Sequence, residues 1–384
     1  MKYFKKIMLI SLIISNVFIN TSCWNYKDLE RLNIVMGFAI DKDTKNNEYI
    51  LTAEIARPES GQNQAKYMSD IYESRGSTIY EAVRRFIEKA GKKTYWAHAS
   101  IGILSKNVAS EDLSPIFDLF HRDPEVRADV LILVSNKETA REILETDHKE
   151  GELRITKLSY ILENQKSISR YPKAEYNDII ENFESKENAI LIPIVDLKQE
   201  DGKIVPEVSG SAILKYDRVV GYLTGTETQY ALWVMGELKG GLLIVQNVLE
   251  TDTNISFEIA KNKTKIKSDY NNEELRMKVH VITTVDIGEV AGNIDFLEEE
   301  NKEKIREYSE KDLKDKLEYI VKKMQNEYKS DIFNFGNKVQ IENPRLWKNL
   351  KTRWNEEFTN LPVDIKVDLM IKGSAMTKRS LKGE

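Results

Sequence analysis

The chain has 384 residues, 41% of them hydrophobic and 31% charged, with 57 basic against 62 acidic side chains and a net charge of −5. This length and apolar content suffice for two or three domains with sizeable cores, and a charge balance without basic excess speaks against a nucleic-acid surface. The single cysteine, Cys23, excludes an intramolecular disulfide and a cysteine-rich metal cluster.

The N-terminus carries its own pattern. Lys2, Lys5 and Lys6 precede Ile7–Ile19, a run of 13 residues that is apolar apart from Ser11, Ser15 and Asn16. A helix of that length rises about 20 Å, short of a hydrocarbon core roughly 30 Å thick, so residues 1–22 read as a signal peptide rather than a permanent span. Thr21 and Ser22 just before Cys23 resemble a bacterial lipobox, with cleavage between Ser22 and Cys23. In such proteins the thiol becomes a thioether to diacylglycerol, and the freed amine is open to acylation. Asn20 departs from the pattern, which usually carries Leu at that position. Two acyl chains anchor a protein stably where one is marginal. Trp24 would serve either at the lipid headgroups or packed onto the first domain.

After Cys23, Ile34–Ile40 and Tyr49–Ala56 read as a hairpin, and the polar stretch Glu59–Gly76 as an exposed loop. Thr78 with Glu81 forms a capping-box signature for a helix whose apolar face holds Ile79, Val83, Phe86, Ile87 and Ala90, and which Gly91 ends. "TYWAHASIGIL" predicts a strand, "SEDLSPIFDLFH" a short helix with Pro115 near its first turn, "ADVLILVS" a buried strand and "KETAREILE" a helix. A second region starts near "AILIPIVDL", with Asp201-Gly202 turning a hairpin into "KIVPEVSGSAILKY". "DRVVGYLTGTETQYALWVMGE" predicts a strand and then a helix from about Glu227. Gly240-Gly241 is a turn before further strands, among them "GLLIVQNVLE", "NISFEIA" and "LRMKVHVITTVDI". In "KNKTKIK", Lys261, Lys263, Lys265 and Lys267 alternate and share one strand face, suited to solvent or to an anionic membrane surface.

A charged helix over Lys302–Tyr328 buries Leu313, Leu317, Ile320, Val321, Met324 and Tyr328. Asn343 caps a shorter helix with Trp347, Leu350, Trp354 and Phe358 on its buried stripe, and Val363–Ile371 alternates as a last strand. Helices and strands are interspersed without a regular βαβ rhythm. The expected fold class is therefore α+β, multi-domain, with mixed and antiparallel sheets and packed helices.

No catalytic set emerges. The four histidines, His98, His121, His148 and His280, stand at no metal-ligand spacing, so no metal site is expected. "HRD" at His121–Asp123 matches a kinase catalytic loop, but Ala128 stands where that loop needs Asn, and no glycine-rich phosphate loop exists. Carboxylates are numerous enough that a hydrolytic pair could hide among them.

Several stretches together resemble the Ger(x)C proteins, the lipoprotein C subunits of spore germinant receptors. "CWNYKDLERLNIVMGFAID" is similar to the start of their mature chains, through Cys23, Trp24, Asp28, Leu29, Glu30, Gly37 and Asp41. "FHRDPEVRADVLILVS" resembles their Arg-Asp-Pro-Glu stretch, here Arg122, Asp123, Pro124 and Glu125, with Arg127 following. Gly221, Leu223, Glu227 and Trp233 match the segment opening their C-terminal part, and "DIFNFGNKV" with "PRLWKNLKTRWNEEF" their closing elements.

The resemblance runs from Cys23 to about Gly373. It implies a non-enzymatic subunit without a cofactor beyond the diacylglycerol on Cys23. Such a subunit is lipid-anchored on the outer face of the spore inner membrane, beside an integral-membrane A subunit and a transporter-like B subunit. It implies a three-domain α+β arrangement: an N-terminal domain over 23–198 and a C-terminal region over 199–384, with subdomains near 199–240 and 241–373 and a short basic tail. Trp24, Arg122 and Arg127 are the candidate interface residues, although nearby carboxylates offer the two arginines structural partners. The competing readings are a solute-binding lipoprotein of a transporter, which predicts two parallel-sheet lobes, and a cell-envelope hydrolase.

Overall fold

The computed structural model describes residues 31–59, 66–147, 152–185, 189–292 and 299–373, and residues 3, 4, 6 and 8 in helical conformation. Asn20, Ser22, Cys23 and Trp24 lie outside the described residues.

The first sheet starts from the expected hairpin. β1 (Leu32–Asp43) and β2 (Glu48–Glu59) pair antiparallel down to Asp43↔Glu48, and Asn47 takes a left-handed φ of 54° in the turn. The expected loop over Glu59–Gly76 is corrected: β3 (Lys66–Gly76) pairs with β2 along its whole length and forms one edge of the sheet. An edge strand with a solvated face needs few apolar residues, which is why its polarity imitates a loop.

Helix α1 (Ile79–Ala90) begins where Thr78 accepts a hydrogen bond from the Glu81 amide and ends at Gly91, φ 68°. The Glu81 carboxylate reaches back to Ser77 rather than to Thr78, and Ile87 is exposed rather than buried. "TYWAHASIGIL" is two strands, β4 (Lys93–Tyr95) and β5 (Ile101–Leu104), because a turn closed by Ala99 N to Trp96 O interrupts it. Next come α2 (Lys106–Ala109), α3 (Ser114–Arg122) with Pro115 in its first turn, β6 (Leu131–Ser135) and a single helical turn, α4 (Arg141–Leu144). Three further helices, α5 (Ile155–Glu163), α6 (Gln165–Ile168) and α7 (Tyr176–Ser185), occupy a stretch for which the pattern gave no assignment.

β7 (Ala189–Glu200), β8 (Lys203–Lys215) and β9 (Arg218–Leu223) complete the sheet; Asp201 and Gly202, φ 49° and 78°, form the turn between the first two. The strand order is β3-β2-β1-β5-β6-β7-β8-β9, with β4 also beside β1; β1, β5, β6 and β7 run parallel and the flanks antiparallel. The sheet thus continues through residue 198 to Leu223. Apolar layers fill both its faces, Phe38, Phe86 and Phe117 on one and Ile103, Leu133 and Leu158 on the other.

Thr224 and Glu227 close a full capping box on α8 (Gly225–Met235), which Gly236 ends at φ 78°. The second sheet then runs β10 (Leu242–Val245), β11 (Asn254–Asn271), β12 (Glu274–Ala291) and β13 (Val363–Gly373), the last parallel to β12. Its inner face packs against α8 and α9 (Glu299–Lys323), α10 (Phe335–Glu342), α11 (Pro344–Leu350) and α12 (Trp354–Asn360), burying Leu313, Leu317, Ile320, Val321 and Met324 as expected. Residues 324–328 finish α9 as a π-turn. Two corrections apply here: a 3₁₀ turn over Lys351–Arg353 splits the Trp347–Phe358 helix in two, and the Asn343 side chain bonds the Ser268 hydroxyl instead of capping α11. The fold class is mixed, multi-domain α+β, as the pattern implied.

Candidate docking surfaces

Of the described residues that carry the resemblance, Gly37, Asp41, Gly221, Glu227 and Trp233 are internal joints, whereas the Arg-Asp-Pro-Glu stretch lies at the surface. At Gly37, beside a bulge in β1, a Cβ would overlap the Ile155 side chain, so glycine is what lets α5 settle on the strand. Asp41, 4% exposed, accepts from Ala140 N (2.6 Å) and Arg141 N (3.1 Å) at the start of α4. Glu54 on β2, fully buried, does the same for α5 through Arg154 N (2.6 Å) and Ile155 N (3.1 Å). Two strand carboxylates thus supply the acceptors that helix N-termini need. Burial pushes the Asp41 carboxyl above the usual range against the pull of those amides. Glu54 was missed by sequence reasoning; a lone acid in the apolar run "LTAEIA" was its signal.

A second joint ties the two sheets together. Glu227 receives Lys323 Nζ (2.7 Å) and Tyr319 Oη (3.1 Å) from α9 while capping α8. Burial raises its carboxyl, but Lys323, Thr224 and Tyr319 outweigh this and leave it below the ordinary value. A Cβ at Gly221 would overlap the Tyr328 ring, whose hydroxyl donates to Tyr222 O (3.0 Å). Trp233, fully buried, donates from Nε1 to Asn262 Oδ1 (2.8 Å). In the closing motif Asp331 accepts from Phe333 N, Phe335 N, Gly336 N and Trp354 Nε1, and Gly336 leaves room for the Trp347 and Trp354 rings. Burial pushes Asp331 up, against those four donors.

The surface candidates lie elsewhere. Arg122 forks onto Asp118 (2.9 and 3.0 Å) one turn back in α3, and Arg127 pairs with Asp129 (Nε–Oδ1 2.7 Å); all four side chains are exposed. Neither arginine lines the neighbouring shallow cleft between α1 and α3. That cleft is floored by Trp96 and Phe120 and walled by Tyr80, Val83, Ile87 and Leu119. Asp123 and Glu125 of the same motif stand on its rim, where Glu125 pairs with Lys93 (3.3 Å).

Along α9 the outward side presents a mixed-charge surface with Tyr319, 52% exposed, among it. On the second sheet, Lys261, Lys263, Lys265 and Lys267 are all exposed on the face opposite the helices. Among the described residues there is no group of three or more His, Cys, Asp or Glu placed to hold a metal ion, and no helix long and apolar enough to cross a membrane. His280 stands by Asp368 (2.6 Å), whose carboxyl Lys366 and His280 hold below the ordinary value.

Comparison with known proteins gives a consistent match. Residues 25–197 match the family model "Spore germination protein N-terminal domain", and residues 209–375 "Spore germination B3/ GerAC like, C-terminal". Among curated relatives, spore germination protein B3 of Bacillus subtilis (strain 168) is 27% identical over 91% of this chain and 92% of its own. Spore germination protein KC of the same organism is 22% identical over 98% of both chains. A solved structure, "Crystal Structure of the GerBC protein", shares the fold with a TM-score of 0.56 at 22% identity, covering 88% of this chain and 97% of that one. With both family models matched in order across the chain, it belongs to the Ger(x)C family of spore germination proteins.

Proposed function

We propose that this chain is the non-enzymatic C subunit of a nutrient germinant receptor. A diacylglyceryl group on Cys23 holds it on the outer face of the spore inner membrane, beside an integral-membrane A subunit and a transporter-like B subunit. The observation that carries this reading is the run of both family models from residue 25 to 375, beginning two residues after a cysteine that follows a short apolar leader. Relatives of matching length are spore germination proteins.

The internal joints support a rigid docking body: buried carboxylates hold helix starts, Glu227–Lys323 ties α8 to α9, and Tyr328 bonds the backbone of β9. In this reading Trp24 sits at the headgroup interface beside the lipid. The exposed side of α9 is the surface we assign to the partner subunits, because its charges are mutually compensating and Tyr319 adds an aromatic anchor of the kind interfaces favour. The test is genetic. Spores carrying Cys23→Ala are expected to lose nutrient-triggered germination to the extent that a deletion does, and a fully responsive Cys23→Ala strain would contradict the lipid tether.

A further inference from the structure

The second sheet has one covered face and one open face. Asn262, Thr264 and Ile266 of β11 point toward the helices: Asn262 accepts from Trp233 Nε1, Thr264 donates to Trp233 O (2.7 Å) and Ile266 packs on the core. The intervening lysines, Lys261, Lys263, Lys265 and Lys267, therefore all point out, and all four are exposed. At the strand's rise they stand about 7 Å apart and form a row on the order of 20 Å long.

Several neighbouring basic groups are neutralised locally: Lys278 pairs with Asp269, Arg276 with Asp364 (3.0 Å) and Lys366 with Asp368 (2.9 Å), while Glu258 and Asp286 face each other beside the Lys261 end of the row. The four β11 lysines pair with no carboxylate among the described residues. Directly across the ladder Lys263 faces Ile282, and Met370 on the far strand is 59% exposed, so apolar side chains stand within the basic surface. A strand built only for solubility has no need to place four like charges in a row on a chain whose net charge is −5, because like charges side by side repel.

We propose that this open face docks on an anionic phospholipid bilayer, with the lysine row seated at the headgroups. Charge complementarity selects the occupant. Lysine ammonium groups act as mobile point charges matched to a fluid field of phosphodiesters, whereas a partner protein would be met by fixed bidentate pairs of the kind arginine makes. The inference goes beyond the receptor reading and does not require acylation of Cys23, since any N-terminal tether serves to bring the sheet to the surface.

The test is amine footprinting of the full chain reconstituted in phosphatidylcholine vesicles with or without phosphatidylglycerol, read by mass spectrometry at each lysine. Lys261, Lys263, Lys265 and Lys267 are expected to acetylate at least about fivefold more slowly in the anionic vesicles, from the attraction of a near-surface lysine. Lys311 and Lys322 on α9 should not change. At ~1 M salt, where the screening length falls to about 3 Å, the protection should vanish. A Lys263→Gln/Lys265→Gln variant, whose two changes lie on a solvent face and spare the fold, should return Lys261 and Lys267 to the phosphatidylcholine rate. Equal rates in the two vesicles would overturn the proposal. Protection that appears only when partner receptor subunits are added would overturn it too, and would give the row to a protein.

Discussion

Replacing Asp331 by Asn keeps the volume and removes one acceptor oxygen, which isolates the polar joint from packing. In the native structure Oδ1 accepts from Phe333 N (3.1 Å) and Phe335 N (3.2 Å), and Oδ2 from Gly336 N (2.8 Å) and Trp354 Nε1 (3.0 Å). An amide nitrogen at either oxygen turns two bonds into donor–donor clashes inside a site that is 2% exposed. Each orphaned buried donor costs about 1–3 kcal/mol, and the two surviving bonds lose their charge assistance. The expected loss is therefore about 4 kcal/mol, a large share of the roughly 5–15 kcal/mol typical of a domain. Urea unfolding followed by tryptophan fluorescence measures it directly, since Trp233, Trp347 and Trp354 all lie in the affected core. At a few degrees per kcal/mol the melting temperature should fall by on the order of 10 °C. A loss below about 1 kcal/mol would refute the reasoning and leave apolar packing as the sole support of the Phe335–Trp354 corner.

Three further perturbations probe the joints and the proposed surface. Gly221→Ala drives a methyl into the Tyr328 ring and should cost about 1–3 kcal/mol, recovered in part by Tyr328→Ala in the same chain; equal losses in single and double variants would contradict the clash. The Glu227 carboxyl is held below its unfolded value, so its stabilisation is present above the ordinary Glu range and is lost as pH falls through the lower folded value. Stability measured from pH 6 downward should accordingly decline less steeply in Glu227→Gln than in the native chain, and parallel curves would remove Glu227 from the pH response. Charge reversal at Lys311 and Lys322, both exposed on α9, should abolish capture of the proposed partner subunits from spore membranes while leaving the melting temperature unchanged; normal capture would remove that helix face from the proposed interface.

Much of the fold was legible where local chemistry and tertiary context agree. The Asp201-Gly202 turn, the Thr78 cap and Gly91 stop of α1, the apolar stripe of α9 and the alternation of β13 each state their structure in a few residues. Reading failed where context overrode pattern. β3 is polar because it is an edge, and "TYWAHASIGIL" is broken by a turn that a continuous apolar run conceals. The helices between Ile155 and Ser185 are short, and α5 depends for its start on Glu54 of the sheet, roughly 100 residues away.

The candidate sites show the same division. Most of the described motif residues that identify the family, Gly37, Asp41, Gly221, Glu227 and Asp331 among them, are buried or half-buried joints, so they report the fold and say little about the docking surface. The lysine alternation in "KNKTKIK" was visible as a pattern, but its meaning depends on which sheet face lies open, and only the packing of Trp233 on Asn262 and Thr264 decides that.

The central claim is a lipid-tethered subunit at the spore inner membrane, and mass spectrometry of the inner membrane from dormant spores tests it most directly. An N-terminal peptide beginning at Cys23 and carrying a diacylglyceryl group is the expected result. An unmodified chain still starting at Met1, or the protein found in vegetative-cell membranes and absent from spores, would contradict it.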